Sequence, residues 1–285
     1  MALSSSNETF YNSKSALTSP KQFLKQTVLD LSFSRNIAWQ LFRKNFFSQY
    51  RQNFLGYLWV LLPPLATALI WIFLHFSKII DLGTTEIPYP LYVLTGIFLW
   101  QTFTESVTCP LQQLLFSRHL ITKFKIPHEA LVIAGLGSIV FSLLVRLVIL
   151  LVCSIYFQVG ISWNLLLAPI GLAVLILLGM AIGLLLTPLG MLYKDILSGI
   201  GIVLNVLFFL TPIIYPLPKN GAVSTVVSLN PLTSVINTNR NWLTGGNVMP
   251  DFSFYLVISI SIFLFFGSWL FYRLAKPFII ERIST

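Results

Sequence analysis

The sequence predicts an all-α integral membrane protein with six transmembrane helices, an N-terminal amphipathic interface helix and short re-entrant helices before the last span. Three observations predict it. Hydrophobic residues make up 56% of the 285 and charged residues only 9%, and mean hydropathy is +0.82, far from a soluble domain of average composition. Several apolar runs reach the roughly 20 residues a helix needs to cross a bilayer. The runs are also continuous, whereas a transmembrane barrel needs alternating segments of about ten residues. Backbone groups in hydrocarbon must be paired within the span, so continuous runs mean helices.

Suitable runs occur at about 54–77, 88–108, 129–157, 164–190, 196–216 and 252–274. An even number puts both termini on one side, and the distribution of Lys and Arg identifies that side. Fourteen of the 18 fall with the termini, while Lys78, Lys219 and Arg240 fall opposite. Both termini are therefore expected in the cytoplasm. The formal charge of +9 sits between apolar runs, so it reads as a topology signal and not as a nucleic-acid surface.

Residues 1–34 are expected to be a mobile cytoplasmic tail, because the Ser- and Asn-rich start MALSSSNETFYNSKSALTSP has no apolar signal region close behind it. Residues 35–53 form the interface helix. There Trp39, Phe42, Phe46 and Tyr50, continued by Phe54, recur at spacings of three or four and make one stripe at about 100° per residue. Lys44, Ser48, Arg51 and Gln52 lie off the stripe, and Arg43 sits at its margin. A helix lying in the cytoplasmic interface accounts for this, and the same stripe would also suit packing on a soluble partner. Residues 54–285 form the six-span domain.

The connection SRHLITKFKIPHEALV starts at Ser117 and is basic until Pro127 and Glu129 signal a helix start. It holds no zinc motif, since HEALV has Val132 where a second His is needed. Residues 217–251 are too weakly apolar to span, yet too rich in Val, Leu and Ile for a free linker. Short helices dipping into the outer leaflet suit them, with an ordinary structured loop as the alternative.

No G-x-x-x-x-G-K-[ST] loop occurs, so the chain lacks that machinery for nucleotide hydrolysis. The runs also lack the carboxylate and His chains of proton-coupled or metal-assisted work. Cys109 and Cys153 have neither metal-ligand spacing nor a disulfide framework and are expected to be inert. Arg146, inside the third run, is the exception. A charge there costs at least about 2.5 kcal/mol on insertion scales, so it must face the protein interior or water. It would serve the conduction path or cap carbonyls in the bundle. Glu105 lies about three residues from the inner boundary and Arg146 about twelve, a depth gap on the order of 13 Å at 1.5 Å per residue. An ion pair between them within one subunit is not expected.

The stretch YRQNFLGYLWVLLPPLATALI, which begins at Tyr50, resembles the start of the first span in membrane subunits of ATP-binding-cassette exporters for polysaccharide, O-antigen or teichoic acid. Tyr50, Arg51, Leu55, Gly56, Leu58, Trp59, Leu62 and Pro64 match that family's pattern, and Asn53 replaces its usual Ser. The likeness continues in FKIPHEAL, where Ile126 takes the usual aromatic place, and in LYKDI, FFLTPIIYPL and SLNPLTSVINTNRNWLTGG. It implies a homodimer that works with two copies of a separate ATPase and encloses a channel for a lipid-linked glycan. ATP and Mg would sit on that partner, so the chain itself carries no cofactor and is not an enzyme. By the resemblance, Trp39, Phe42, Phe46, Tyr50 and Arg51, with the loop residues Arg118, His119, Lys123, Lys125, Pro127, His128 and Glu129, contact the ATPase. It also implies that the loop before the last span re-enters the membrane.

An aromatic-lined channel can hold a sugar chain loosely by its C–H faces. Tyr57, Trp71 and His75 share one face of the first run, so with Arg146 they are the candidate channel lining. The aromatics would equally suit interface anchoring or bundle packing. Pro63 and Pro64 are expected to kink this helix. A lipid or drug exporter of the same class is the nearest rival. A secondary transporter should show repeats and broken charged helices, and an enzyme acting on lipid-linked sugar should show paired acids or His at a membrane face.

Overall fold

A computed structural model describes residues 36–44, 61–79, 83, 85–117, 128–160, 162–193, 195–217, 221–246 and 249–284. Among these the architecture is wholly helical. Residues 36–44 are helical and are termed α1. The remaining α-helices are α2 (Leu62–Phe76), α3 (Tyr89–Phe116), α4 (His128–Tyr156), α5 (Ala168–Leu192), α6 (Asp195–Leu210), α7 (Ala222–Leu229), α8 (Pro231–Leu243) and α9 (Phe252–Ser284), with a 3-10 turn at Trp163–Leu167 leading into α5.

Among the described residues, three stretches are long and apolar enough to cross a membrane: Glu129–Tyr156, Trp163–Leu192 and Phe252–Ala275. Helices α2 and α6 are apolar but only 15 and 16 residues long, about 23 and 24 Å at 1.5 Å per residue. Helix α3 has 28 residues, ample length, but a more polar composition. It also continues to Phe116, past the expected border near 108, because Gln112 and Gln113 break the apolar run without breaking the helix. At α2 the proline pair lies in the first turn of a helix whose N-cap is Leu61. A missing N–H is harmless at that position. The residues before Leu61, on which the expected kink depends, lie outside the described residues.

Helix α3 is the axis of the fold, buried along most of its length and packed against α2, α4, α5, α6 and α8. The contact with α5 is close because α5 offers glycines. A methyl group at Gly179 would meet Ser106 Cβ at 2.6 Å and the Phe103 carbonyl oxygen at 3.0 Å. At Gly183 it would run into the Val107 carbonyl oxygen and the Pro110 ring, and at Gly190 into Leu111. Hydrocarbon gives no hydrophobic drive between helices, so such small residues let the backbones approach and gain dispersion energy. On the cytoplasmic side of the expected topology, Ala38 and Leu41 of α1 pack with Leu114, Ala130, Leu131, Ala134, Leu184 and Tyr272, which ties α1 to four other helices.

Gly183→Val should overpack this contact and destabilise the detergent-solubilised protein by about 1–3 kcal/mol, read as a lowered midpoint of thermal unfolding. Gly201→Ala, where a methyl enters open space, should leave that midpoint essentially unchanged.

Candidate functional site

Two buried arginines organise the polar interior. Gly135 of α4 lies against Cys109 and Gln113, while Arg146 lies against Thr102 and Glu105, so α4 runs antiparallel to α3. Arg146 is fully buried. Its Nη1 donates to Thr102 Oγ1 at 3.1 Å and to Glu105 Oε2 at 3.1 Å, and its Nη2 donates to Glu105 Oε1. The Thr102 hydroxyl is itself oriented by donating to the Phe98 carbonyl at 2.9 Å. The fork-on-carboxylate geometry is the strong form of this interaction.

This corrects the expectation that depth keeps the two charges apart. The apolar border near 108 is not the end of α3, so Glu105 lies deeper than that border implied. Side chains on a helix also lean toward its N-terminus. On antiparallel neighbours they lean toward each other, and Arg146 reaches down while Glu105 reaches up. The remaining face of Glu105 stays open, with 26% of its side chain exposed.

The second arginine, Arg240, was counted in the sequence only as a charge opposite the termini. It is 3% exposed. The chain leaves the helix after Leu210 and runs irregularly from Thr211 to Leu217, and four successive carbonyls there receive side-chain donors. Arg240 Nη2 donates to Pro212 at 3.0 Å and to Ile213 at 2.8 Å. Tyr89 Oη donates to Ile214 at 3.1 Å, and Tyr92 Oη to Tyr215 at 2.9 Å. The guanidinium lies 3.8 Å over the Tyr92 ring, and its Nη1 donates to Asn237 Oδ1 at 3.0 Å. Gly96 leaves the room, since a methyl there would strike the Ile213 carbonyl oxygen. Spacing signals Arg240 in retrospect: Leu232, Ile236 and Arg240 recur every fourth residue on the buried face of α8.

The channel candidates are engaged with the bundle. Trp71 is half-buried and meets Phe209 of α6 edge-on at 6.5 Å between centroids. His75 stacks on Tyr89 at 3.9 Å and 23°. In α1, Trp39 is 65% exposed, and Phe42 lies against Gly137. Glu129 is buried in the first turn of α4, and His128 opens that helix. Residues 1–34, Phe46, Tyr50, Arg51, Tyr57, Arg118, His119, Lys123, Lys125 and Pro127 lie outside the described residues. No group of three or more metal-ligating side chains occurs among the described residues.

Residues 37–243 match the model of the ABC-2 type transporter family, a segment that holds both arginines and all but the last of the long helices. The chain belongs to the ABC-2 type transporter family. Among relatives of this ABC-2 transporter, an O-antigen export system permease protein RfbA of Myxococcus xanthus is 25% identical over 214 residues, covering 74% of this chain and 81% of that protein. An O-antigen export system permease protein RfbA of Klebsiella pneumoniae is 26% identical over 227 residues, 77% of this chain and 82% of its own length. The polysialic acid transport protein KpsM of Escherichia coli is 24% identical over 235 residues, 80% and 89% respectively.

In this ABC-2 transporter, Arg146→Leu leaves the Glu105 carboxylate without its partner and should destabilise the fold by about 3 kcal/mol. Arg146→Leu with Glu105→Leu should recover most of the loss, because the buried guanidinium and its half-buried partner are then both gone. Thermal unfolding of the purified variants measures both. Tyr92→Phe removes one hydrogen bond and should cost about 0.6–1.5 kcal/mol. Arg240→Lys should cost more in the same measurement, since a single ammonium cannot reproduce the fork over two carbonyls and a ring.

Proposed function

We propose that this protein is the membrane subunit of an ATP-driven exporter that moves a lipid-linked polysaccharide out of the cytoplasm across the inner membrane. The observation that carries this is the agreement, over 74–81% of the chain, with relatives named for O-antigen export and polysialic acid transport. The ordered motifs from Tyr50 to Gly246 point the same way.

The arrangement we infer has six spans, α2 to α6 and α9, with both termini cytoplasmic and the chain acting as a homodimer beside two ATPase subunits. Helix α2 with the residues before it forms the first span. Helices α7 and α8 form the re-entrant segment between the fifth and sixth. Irregular backbone at membrane depth is tolerated only where protein satisfies it, and the four carbonyls held by Arg240, Tyr89 and Tyr92 supply that condition. Arg118, His119, Lys123, Lys125, Pro127, His128 and Glu129 form the coupling loop to the ATPase, which carries ATP and Mg. The exposed edges of Trp71 and His75, with Tyr57, offer ring surface on which sugar C–H faces can slide.

Deleting the gene should trap lipid-linked glycan in the cytoplasmic leaflet and remove it from the surface, measured by surface labelling and by extraction of the lipid-linked pool. Normal surface glycan in the deletion strain overturns the proposal.

A further inference from the structure

Helix α3 carries a polar stripe that its packing leaves partly open. Gln101, Thr104, Glu105, Thr108 and Gln112 stand at i, i+3, i+4, i+7 and i+11 and share one face. All five are half-buried, while the opposite face, with Phe103, Val107 and Leu111, is sealed against the α5 glycines. The two threonines return their hydroxyls to carbonyls of their own helix, Thr104 to Gln101 at 2.9 Å and Thr108 to Thr104 at 2.9 Å, which leaves the oxygen lone pairs outward. The amides of Gln101 and Gln112 have no hydrogen-bonding partner among the described residues. Between them stands Glu105, its carboxylate held by Arg146 and its outer edge open.

The exposed faces of α4 and α5 are apolar, as shown by Val140, Leu144, Val148, Leu185 and Leu189. Lipid covers such faces without loss. It cannot cover a stripe of free amides and a carboxylate, each of which costs several kcal/mol when left unsatisfied in hydrocarbon. The stripe is also recessed. It lies between α4, which packs at Thr102 and Cys109, and α6, which packs at Trp100 through Phe208. A hydroxyl-rich chain carries the matching donors and acceptors along its length.

We propose that the Gln101–Thr104–Glu105–Thr108–Gln112 face of α3 is a hydrophilic track that contacts the exported glycan through exchangeable hydrogen bonds. This rests on the polysaccharide reading above. Arg146 is its positioning residue: it holds the Glu105 carboxylate in place as an acceptor without touching the glycan itself. Five modest contacts, each replaceable by water, suit a chain that must slide and not lodge.

The test uses the full chain with its ATPase in membrane vesicles, after replacing Cys109 and Cys153 with Ala. Single Thr104→Cys, Thr108→Cys and Gln112→Cys variants are compared with Val148→Cys on the apolar face of α4, using a membrane-impermeant sulfonated methanethiosulfonate as probe. The track positions should label about tenfold faster than Val148→Cys, because only a hydrated thiol ionises and reacts. Labelling should slow severalfold when a glycan is stalled by a hydrolysis-deficient ATPase, relative to vesicles from cells that make no lipid-linked glycan. Labelling no faster than Val148→Cys overturns the proposal, as does fast labelling with no protection by stalled glycan. Spontaneous disulfides between copies at these positions overturn it in favour of a subunit interface. The polysaccharide reading is judged separately, by surface glycan in the deletion strain, so its failure and that of the track are read in different measurements.

Discussion

A buried backbone carbonyl needs a donor, and this requirement shapes the centre of the molecule. Helix α6 ends at Leu210, and the chain continues without helical bonds through Pro216. Arg240 and two tyrosines one turn apart on α3 reach the carbonyls of residues 212 to 215 in order. Remove those donors and the segment must rewind or admit water. The start of α3, the end of α6 and the whole of α8 are thereby held as one unit, with Gly96 as the space in which they meet.

Helix α3 carries these donors because it is both the most enclosed of the long helices and a polar one. Its two faces meet different demands. Toward α5 it presents backbone to glycine, where close packing replaces a hydrophobic drive that lipid cannot provide. Toward α4 it presents Thr102 and Glu105 to Arg146, a charge tolerable in the bundle because both of its Nη groups find acceptors. A helix of leucine would span just as well, but it would satisfy neither Arg146 nor the 211–217 segment.

Much of this architecture was legible in residue order. The apolar runs near 129–157, 164–190 and 252–274 correspond to the long apolar helices of the structure. The Val- and Leu-bearing segment from 217 to 251 does contain two short helices. The borders were less legible. Hydropathy stopped the second run near 108 while the helix continues to Phe116, because a helix ends where its backbone bonds end and not where polar side chains begin. The proline pair is ambiguous in the sequence, since proline both opens helices and kinks them, and in the structure it stands in the first turn of α2.

The composition and the positions of its charges determined by themselves that this chain is a helical membrane protein, and that Arg146 must lie away from lipid. Each follows from transfer energetics, which depend on residue type and run length. Only the tertiary structure decided what Arg146 and Arg240 hold. Arg146 meets Glu105 because the two antiparallel helices lean these side chains toward each other, and Arg240 meets the carbonyls of Pro212 and Ile213 because α8 folds back against α3 and the segment after α6. Such pairings depend on register and direction between elements far apart in the chain. Linear spacing measures depth along one helix and says nothing of the rotation of its neighbour.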